Sequence, residues 1–209
     1  MHLISANQLT CIKRDRVLFE NLNLDVTQGE IVHVVGENGA GKTSLLRILV
    51  GLALPSNGEI YVQGNPLTEN PEMLHKILVF IGHKSSINGQ LTAVENTLFW
   101  LKQQGIEGNS DEIERVLSQL GLAGVDDIPV NALSAGQQRR VALSRLWLKP
   151  NAKLWVLDEP FTALDKSGID VINQRIHSFV EQGGTVVLTS HQPLRLHEKI
   201  RKFAMEYRF

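Results

Sequence analysis

The stretch Gly36-Glu37-Asn38-Gly39-Ala40-Gly41-Lys42-Thr43, followed by Ser44, gathers three glycines, a lysine and two hydroxyls. An apolar run, Ile31–Val35, leads into it, and a helical pattern, Ser44–Val50, leads out. Strand, glycine-rich turn, Lys-Thr and helix is the order a phosphate-binding P-loop requires. Glycines let the backbone curl until successive N–H groups point inward at phosphate oxygens. The helix start adds unpaired N–H groups and the positive end of its dipole. Lys42 is placed to reach the β- and γ-phosphates of a nucleoside triphosphate, and the Thr43 hydroxyl to coordinate Mg²⁺.

A second constellation, Asp158-Glu159, ends the apolar run Leu154–Leu157. Open α/β sheets place ligands at the carboxyl ends of their strands, so Asp158 suits the holding of Mg²⁺ through a coordinated water. Glu159 faces another direction and suits a general base polarising the water that attacks the γ-phosphate. Asp158 follows Lys42 by 116 positions, too many for one strand–helix–strand step, so a segment is inserted between them. Within it, Leu133-Ser134-Ala135-Gly136-Gln137 precedes a helix that Ser134 can cap, with Ala135-Gly136 exposing N–H groups at its positive end. Such a stretch is either an ordinary capped helix or a second anion site. In the latter case, two chains packed head to tail would close each site onto the other's nucleotide.

The elements that must hold these groups follow from periodicity. Residues 3–35 read as two or three short strands, with Leu22–Val26 alternating apolar and polar. Glu59–Val62 is a further strand closed by Gly64-Asn65-Pro66, and Ile77–Ile81 suits a strand buried on both faces of a parallel sheet. Helical spacing over Val94–Leu101, a capped start at Asn109 to the helix Ile113–Leu120, and a third helix from Gly136 to Leu148 define a helical lobe. The core resumes with Leu154–Leu157, a helix Lys166–Gln182 capped by Asp165, and the strand Thr185–Thr189. Phe203, Met205, Tyr207 and Phe209 alternate as a last strand, and Arg195, Lys199, Arg201 and Lys202 read as a solvated face. The expected fold is α/β: a P-loop NTPase core with a parallel sheet, an N-terminal antiparallel β subdomain and an inserted helical lobe. The expected organisation is one domain, residues 1–209, with core 1–82 and 149–209 and lobe about 83–148.

A chain of 209 residues with 43% hydrophobic and 21% charged residues suits one soluble α/β domain. A net charge of −1 makes no electrostatic case for nucleic acid. Cys11 is the only cysteine, which excludes an internal disulfide and points to a reducing compartment. No apolar run reaches the roughly 18 residues needed to span a bilayer. Met1–Asn7 lacks the layout of a signal peptide, so a cytosolic chain that meets a membrane only through a partner is expected.

Gly36–Thr43, Leu133–Gln137, Leu154–Glu159, Ala163-Leu164-Asp165 and His191 together resemble the Walker A, signature, Walker B, D-loop and switch histidine of ABC-type ATPases. The resemblance implies ATP as the nucleotide, a nucleotide-sandwich homodimer, and hydrolysis coupled to its opening and closing. It puts Asp165 near the dimer seam and His191 on the γ-phosphate or attacking water. Two departures stand out. The glutamine usual after the strand at Ile77–Ile81 is replaced by Gly82-His83-Lys84, leaving His83 as either a substitute on Mg²⁺ or a loop residue. The aromatic that usually stacks adenine is replaced by Ile12-Lys13-Arg14, where Arg14 could stack through its guanidinium.

The runs Asp127–Leu143, Pro160–Asp165 and Leu188–Leu194 are similar to the ATP-binding subunits of bacterial cytochrome c maturation (haem exporter) complexes. That similarity implies integral membrane partners CcmB, CcmC and CcmD, a peripheral place on the cytoplasmic face of the inner membrane, and ATP hydrolysis that drives haem delivery. The ATPase of another small transporter or lipoprotein-release system would share every catalytic residue. A soluble ABC ATPase usually needs long coiled coils or two ATPase halves, and a module that only holds ATP has no need of Glu159.

Overall fold

The computed structural model describes residues 2–192, 194 and 200–206. Two 12-residue strands, β1 (His2–Lys13) and β2 (Arg16–Thr27), form an antiparallel hairpin where shorter strands are expected. Arg14 and Asp15 join them with φ of 48° and 63°, the left-handed pair a two-residue hairpin turn demands. Register shifts along the pair bend the long strands so that they can wrap the core. The alternation at 22–26 holds, with Leu24 and Val26 buried and Asn23 and Asp25 exposed. β4 (Asn57–Val62) pairs with β1, and Asn65-Pro66, expected as a turn, pairs with β4 as β5 (Asn65–Pro66).

The second sheet holds β3 (Ile31–Val35), β6 (Leu78–Ile81), β7 (Leu154–Asp158), β8 (Thr185–Thr189) and β9 (Ile200–Ala204). Its order is β6-β7-β8-β3-β9, and every pairing is parallel. β7 and β8 are buried at every position, the condition that yields unbroken apolar or β-branched runs. Since β8 lies between β3 and β7, the carboxyl ends carrying the P-loop, Asp158 and Thr189 share one edge.

α1 (Lys42–Leu49) follows the P-loop, and α2 (Pro71–Ile77) precedes β6. The expected strand at Ile77 therefore starts at Leu78, because Ile77 closes α2. At seven residues α2 is under two turns, too short to print a helical period on the sequence. Between β6 and β7 lie α3 (Ala93–Gln103), α4 (Ser110–Gln119), α5 (Ala135–Leu143) and α6 (Arg145–Leu148). Thr92 and Glu95 form a reciprocal cap on α3, and the Asn109 side chain caps α4. The helix expected over 136–148 is broken at Ser144. Its buried hydroxyl donates to Val141 O at 2.8 Å while Trp147 N bonds to Ser144 O, a tightened turn. α7 (Lys166–Glu181) connects β7 to β8.

Successive residues of the parallel sheet serve opposite faces. Val32, Val34, Val156 and Val187 join a cluster with α1 and the antiparallel sheet. Ile31, Trp155, Leu157, Val186 and Leu188 join another with α7 and lobe residues such as Ile113, Leu117 and Val141. The lobe thus rests on the face opposite α1, and neither face of the sheet is left to water. Arg201 corrects the expectation of a solvated cation: it grips Glu30 with Nε–Oε2 and Nη2–Oε1 distances of 2.9 Å. Met205 is buried beyond the end of β9, whereas Arg195, Lys199, Tyr207 and Phe209 lie outside the described residues. No helix among the described residues is long and apolar enough to cross a membrane.

Candidate functional site

The P-loop closes into α1 at Gly41, whose φ of +93° only glycine adopts without strain. A Cβ on Gly41 would stand 3.1 Å from the Phe19 ring and 3.2 Å from Leu18, so β2 packs directly on the loop. Lys42 folds over the loop, its Nζ donating to Gly36 O at 2.6 Å and Glu37 O at 3.0 Å. Glu37, Asn38 and Gly39 form the exposed rim, and Ala40 is buried beneath. At the hairpin tip, Lys13 Nζ donates to Ser44 Oγ at 3.0 Å. Lys13, rather than Arg14, is the residue that reaches the P-loop helix from the position where a ring is usual.

Asp158 is 2% exposed and held on both oxygens. Thr43 Oγ1 donates to Oδ2 and Thr189 Oγ1 to Oδ1, each at 2.8 Å. Glu159 N–H donates to the same Thr189 hydroxyl at 2.9 Å. Glu159 has φ of +50°, a conformation costly for a residue with a Cβ and often found where function requires it. Its carboxylate has partners of its own: Oε2 accepts from His191 N–H at 3.1 Å, and Oε1 lies 3.6 Å from His191 Nε2. Oε1 is enclosed and accepts no hydrogen bond among the described residues. The two carboxylates thus bond to different groups, while the Thr189 hydroxyl links the Asp158 side chain to the Glu159 backbone.

Arg139, on α5, joins the lobe to this edge. It is 4% exposed and donates to Gly82 O (2.8 Å), Asp158 O and Glu159 O (both 2.9 Å) and Pro160 O (3.4 Å). Burial lowers the pKa of its guanidinium, against the pull of Asp158 and Glu159. His83 is exposed on the bend after β6, and no described hydrogen bond links it to Thr43 or Asp158. It is the neighbouring carbonyl of Gly82, through Arg139, that connects this bend to the acids.

Ser134 caps α5 as expected. Its Oγ accepts from Gln137 N–H at 3.2 Å, and Ser134 N–H donates to Gln137 Oε1 at 2.9 Å. Leu133 is buried below, and Ser134 and Ala135 are exposed. A Cβ on Gly136 would meet Ala163 O at 2.6 Å, so the loop before α7 packs against this helix start. Asp165 caps α7 through Gly168 N–H at 2.8 Å and pairs with Arg140 Nη2; in that order these bonds hold its carboxyl below the ordinary value.

The profile of the ABC transporter family matches residues 19–162. The chain belongs to the ABC transporter family. The cytochrome c biogenesis ATP-binding export protein CcmA of Shigella sonnei (strain Ss046) is 49% identical over 206 residues, covering 98% of this chain and 97% of that protein. CcmA of Escherichia coli (strain K12) is 48% identical with the same coverage. Among solved structures, a dimeric post-hydrolysis state of an ATP-binding cassette bound to ADP and Pi superposes with a TM-score of 0.84 at 26% identity, covering 98% of this chain and 96% of that one. A dimeric bacterial ABC transporter cassette gives 0.82 at 27% identity and the same coverage.

As an ABC cassette, the chain binds nucleotide and hydrolyses ATP. In this cassette the P-loop, Asp158 and Glu159 converge on one sheet edge, while Leu133–Gln137 and Asp165 meet through Gly136 and Arg140. Arg139 and Thr189 went unforeseen. An arginine within Gln137-Gln138-Arg139-Arg140 carries no signal of what its side chain meets, nor does one threonine ending a β-branched strand until β7 is known to lie beside it.

Proposed function

We propose that this chain is the ATP-hydrolysing subunit of a membrane complex that drives haem delivery for cytochrome c biogenesis. The observation carrying the hydrolytic part is the clamp on Asp158 by Thr43 and Thr189, beside a Glu159 carboxylate held by the His191 N–H. Identity of 49% across nearly the whole chain to a cytochrome c biogenesis ATP-binding export protein supports the cellular role.

Gly36–Ser44 wraps the phosphates, with Lys42 on the β- and γ-phosphates. The hydroxyl of Thr43 and the carboxylate of Asp158 are hard oxygen donors that fit Mg²⁺ and would hold it there. When bound, Mg²⁺ neutralises charge on the phosphate oxygens. Glu159 takes the proton from the attacking water, and His191 lies against the γ-phosphate or that water. Leu133–Gln137 of a second copy caps the nucleotide from across a head-to-tail homodimer, with Asp165 at the seam.

The chain meets integral membrane subunits, resembling CcmB with CcmC and CcmD, from the cytoplasmic face of the inner membrane. A cleft of about 470 Å³ between core and lobe, lined in part by Leu52, Phe80 and Trp100, supports docking there. Leu52 and Phe99 are 55% and 56% exposed beside it and offer apolar surface to a partner.

The test is recovery from detergent-solubilised membranes with tagged Glu159→Gln chain and ATP, which should hold nucleotide without turning it over. Co-purification of small integral proteins with bound haem is expected. Recovery of an unrelated permease would remove the haem role, and unchanged ATP affinity in Lys42→Ala would remove the P-loop assignment.

A further inference from the structure

One peptide unit behind the nucleotide edge is held at both ends. The N–H of His191 donates to Glu159 Oε2 at 3.1 Å, and the carbonyl of Ser190 on the same peptide lies 3.1 Å from His33 Nε2. We infer that His33 is a positioning residue for Glu159, acting through the Ser190–His191 peptide. The inference rests on the reading of Glu159 as the base.

His33 is well placed for this. It sits in β3, opposite Leu188 of β8 and Lys202 of β9, two residues before the strand ends in the P-loop. The ring is half-buried, which limits its rotation. A carbonyl can only accept, so Nε2 carries the proton and donates. Burial lowers the pKa of the ring, with Lys202 acting in the same sense and the Ser190 bond and Glu159 opposing. Neutral and charged imidazole both present Nε2–H, so the hold survives either state.

Because a peptide is planar and trans, fixing the direction of its C=O fixes the opposite direction of its N–H. His33 thereby aims the His191 N–H at Glu159. That N–H matters because Glu159 Oε1 accepts no hydrogen bond among the described residues, leaving Oε2 as the oxygen that orients the carboxylate. Beneath, Thr189 and Arg139 hold only the backbone of Glu159. Without His33 the carbonyl end of the peptide loses its hold, and the base loses its aim while the phosphate cradle is untouched. A misplacement of this order typically costs about 10²-fold in rate.

The experiment compares His33→Leu, His33→Phe and His33→Gln in the purified full chain, measuring single-turnover ATP hydrolysis, affinity for a fluorescent ATP analogue, and thermal midpoint. Leu and Phe should slow hydrolysis roughly 10- to 100-fold with nucleotide affinity changed less than about twofold. Gln, whose amide N–H can reach the same carbonyl, should restore the rate to within about threefold. Phe keeps the ring and carries the test if Leu does not fold. Wild-type rates in Leu and Phe would overturn the inference, as would a Gln variant as slow as they are. Glu159→Gln separates the two readings. Turnover surviving in it would sink the base assignment itself, whereas its loss beside fully active His33 variants would sink only the role of His33.

Discussion

Thr43 and Asp158 are 115 residues apart in the chain, and their side chains meet at 2.8 Å. The contact is the closing point of the fold: it exists because β3 and β7 flank β8 in one parallel sheet, and so deliver the P-loop and the acid to the same edge. Thr189 occupies the other oxygen of Asp158 from the strand between. Hydroxyls on both sides fix the rotation of the carboxylate before any substrate arrives, which is the preorganisation an electrostatic site needs.

Thr189→Val keeps the shape of the side chain and removes its hydroxyl. Asp158 Oδ1 then loses a donor and Glu159 N–H an acceptor, both in a buried setting. The expected cost is about 2–6 kcal/mol, from roughly 1–3 for each stranded group. Urea denaturation should show it, together with a fall in ATP turnover larger than the fall in nucleotide affinity. Unchanged turnover would mean that the clamp on Asp158 is dispensable.

Arg139→Met tests the link between lobe and core. Methionine fills much of the volume but strands the carbonyls of Gly82, Asp158 and Glu159. A loss of about 3 kcal/mol is expected, lowering the thermal midpoint by roughly 6–12 °C in a chain of this size. Scanning calorimetry checks it; a shift of only a degree or two would show that water replaces the guanidinium.

Gly136→Ala introduces a methyl that would stand 2.6 Å from Ala163 O. The acceptor is backbone, so the loop before α7 must move, at a cost of about 1–3 kcal/mol. Because Ser134 and Asp165 both sit beside this contact, ATP turnover should fall more steeply than stability. Parallel measurement of the thermal midpoint and hydrolysis decides it, and equal sensitivity of the two would contradict the expectation.

His33 also predicts a pH dependence. Its ring is held below its ordinary pKa of 6.5, mainly by burial. Between the lowered native value and 6.5 the unfolded chain binds more protons, so stability rises with pH and levels off above about 6.5. Read downward, stability is lost as pH falls through that window. Thermal midpoints of wild type and His33→Gln, taken between about pH 5.5 and about pH 8, should diverge only on the acid side. Parallel curves would show that His33 titrates normally.

Much of the site was legible from local sequence. Gly36–Ser44 is contiguous, so its glycines, lysine and hydroxyls act through a turn whose shape neighbouring residues dictate, and flanking apolar runs announce the strand and helix. Ser134 with Gln137, Asn109 and Asp165 are likewise readable, because a helix cap is a bond to a residue two or three positions away. Periodicity also separated the lobe from the core, but it missed α2, which is too short to repeat a pattern, and the break at Ser144, which depends on a buried hydroxyl.

What only the tertiary structure decided are contacts between strands distant in sequence. Nothing in the residues around Thr189 says that β8 runs between β3 and β7, and nothing around Arg139 says that its helix face turns toward four carbonyls rather than water. His33 is the same case, an isolated imidazole in an apolar strand until Ser190 is brought to 3.1 Å. Sequence alone marked Gly36–Ser44 as the candidate phosphate cradle, since a turn and a helix start are local. The sheet order determined what aims the acids, because hydrogen bonds across a fold are set by which strands become neighbours.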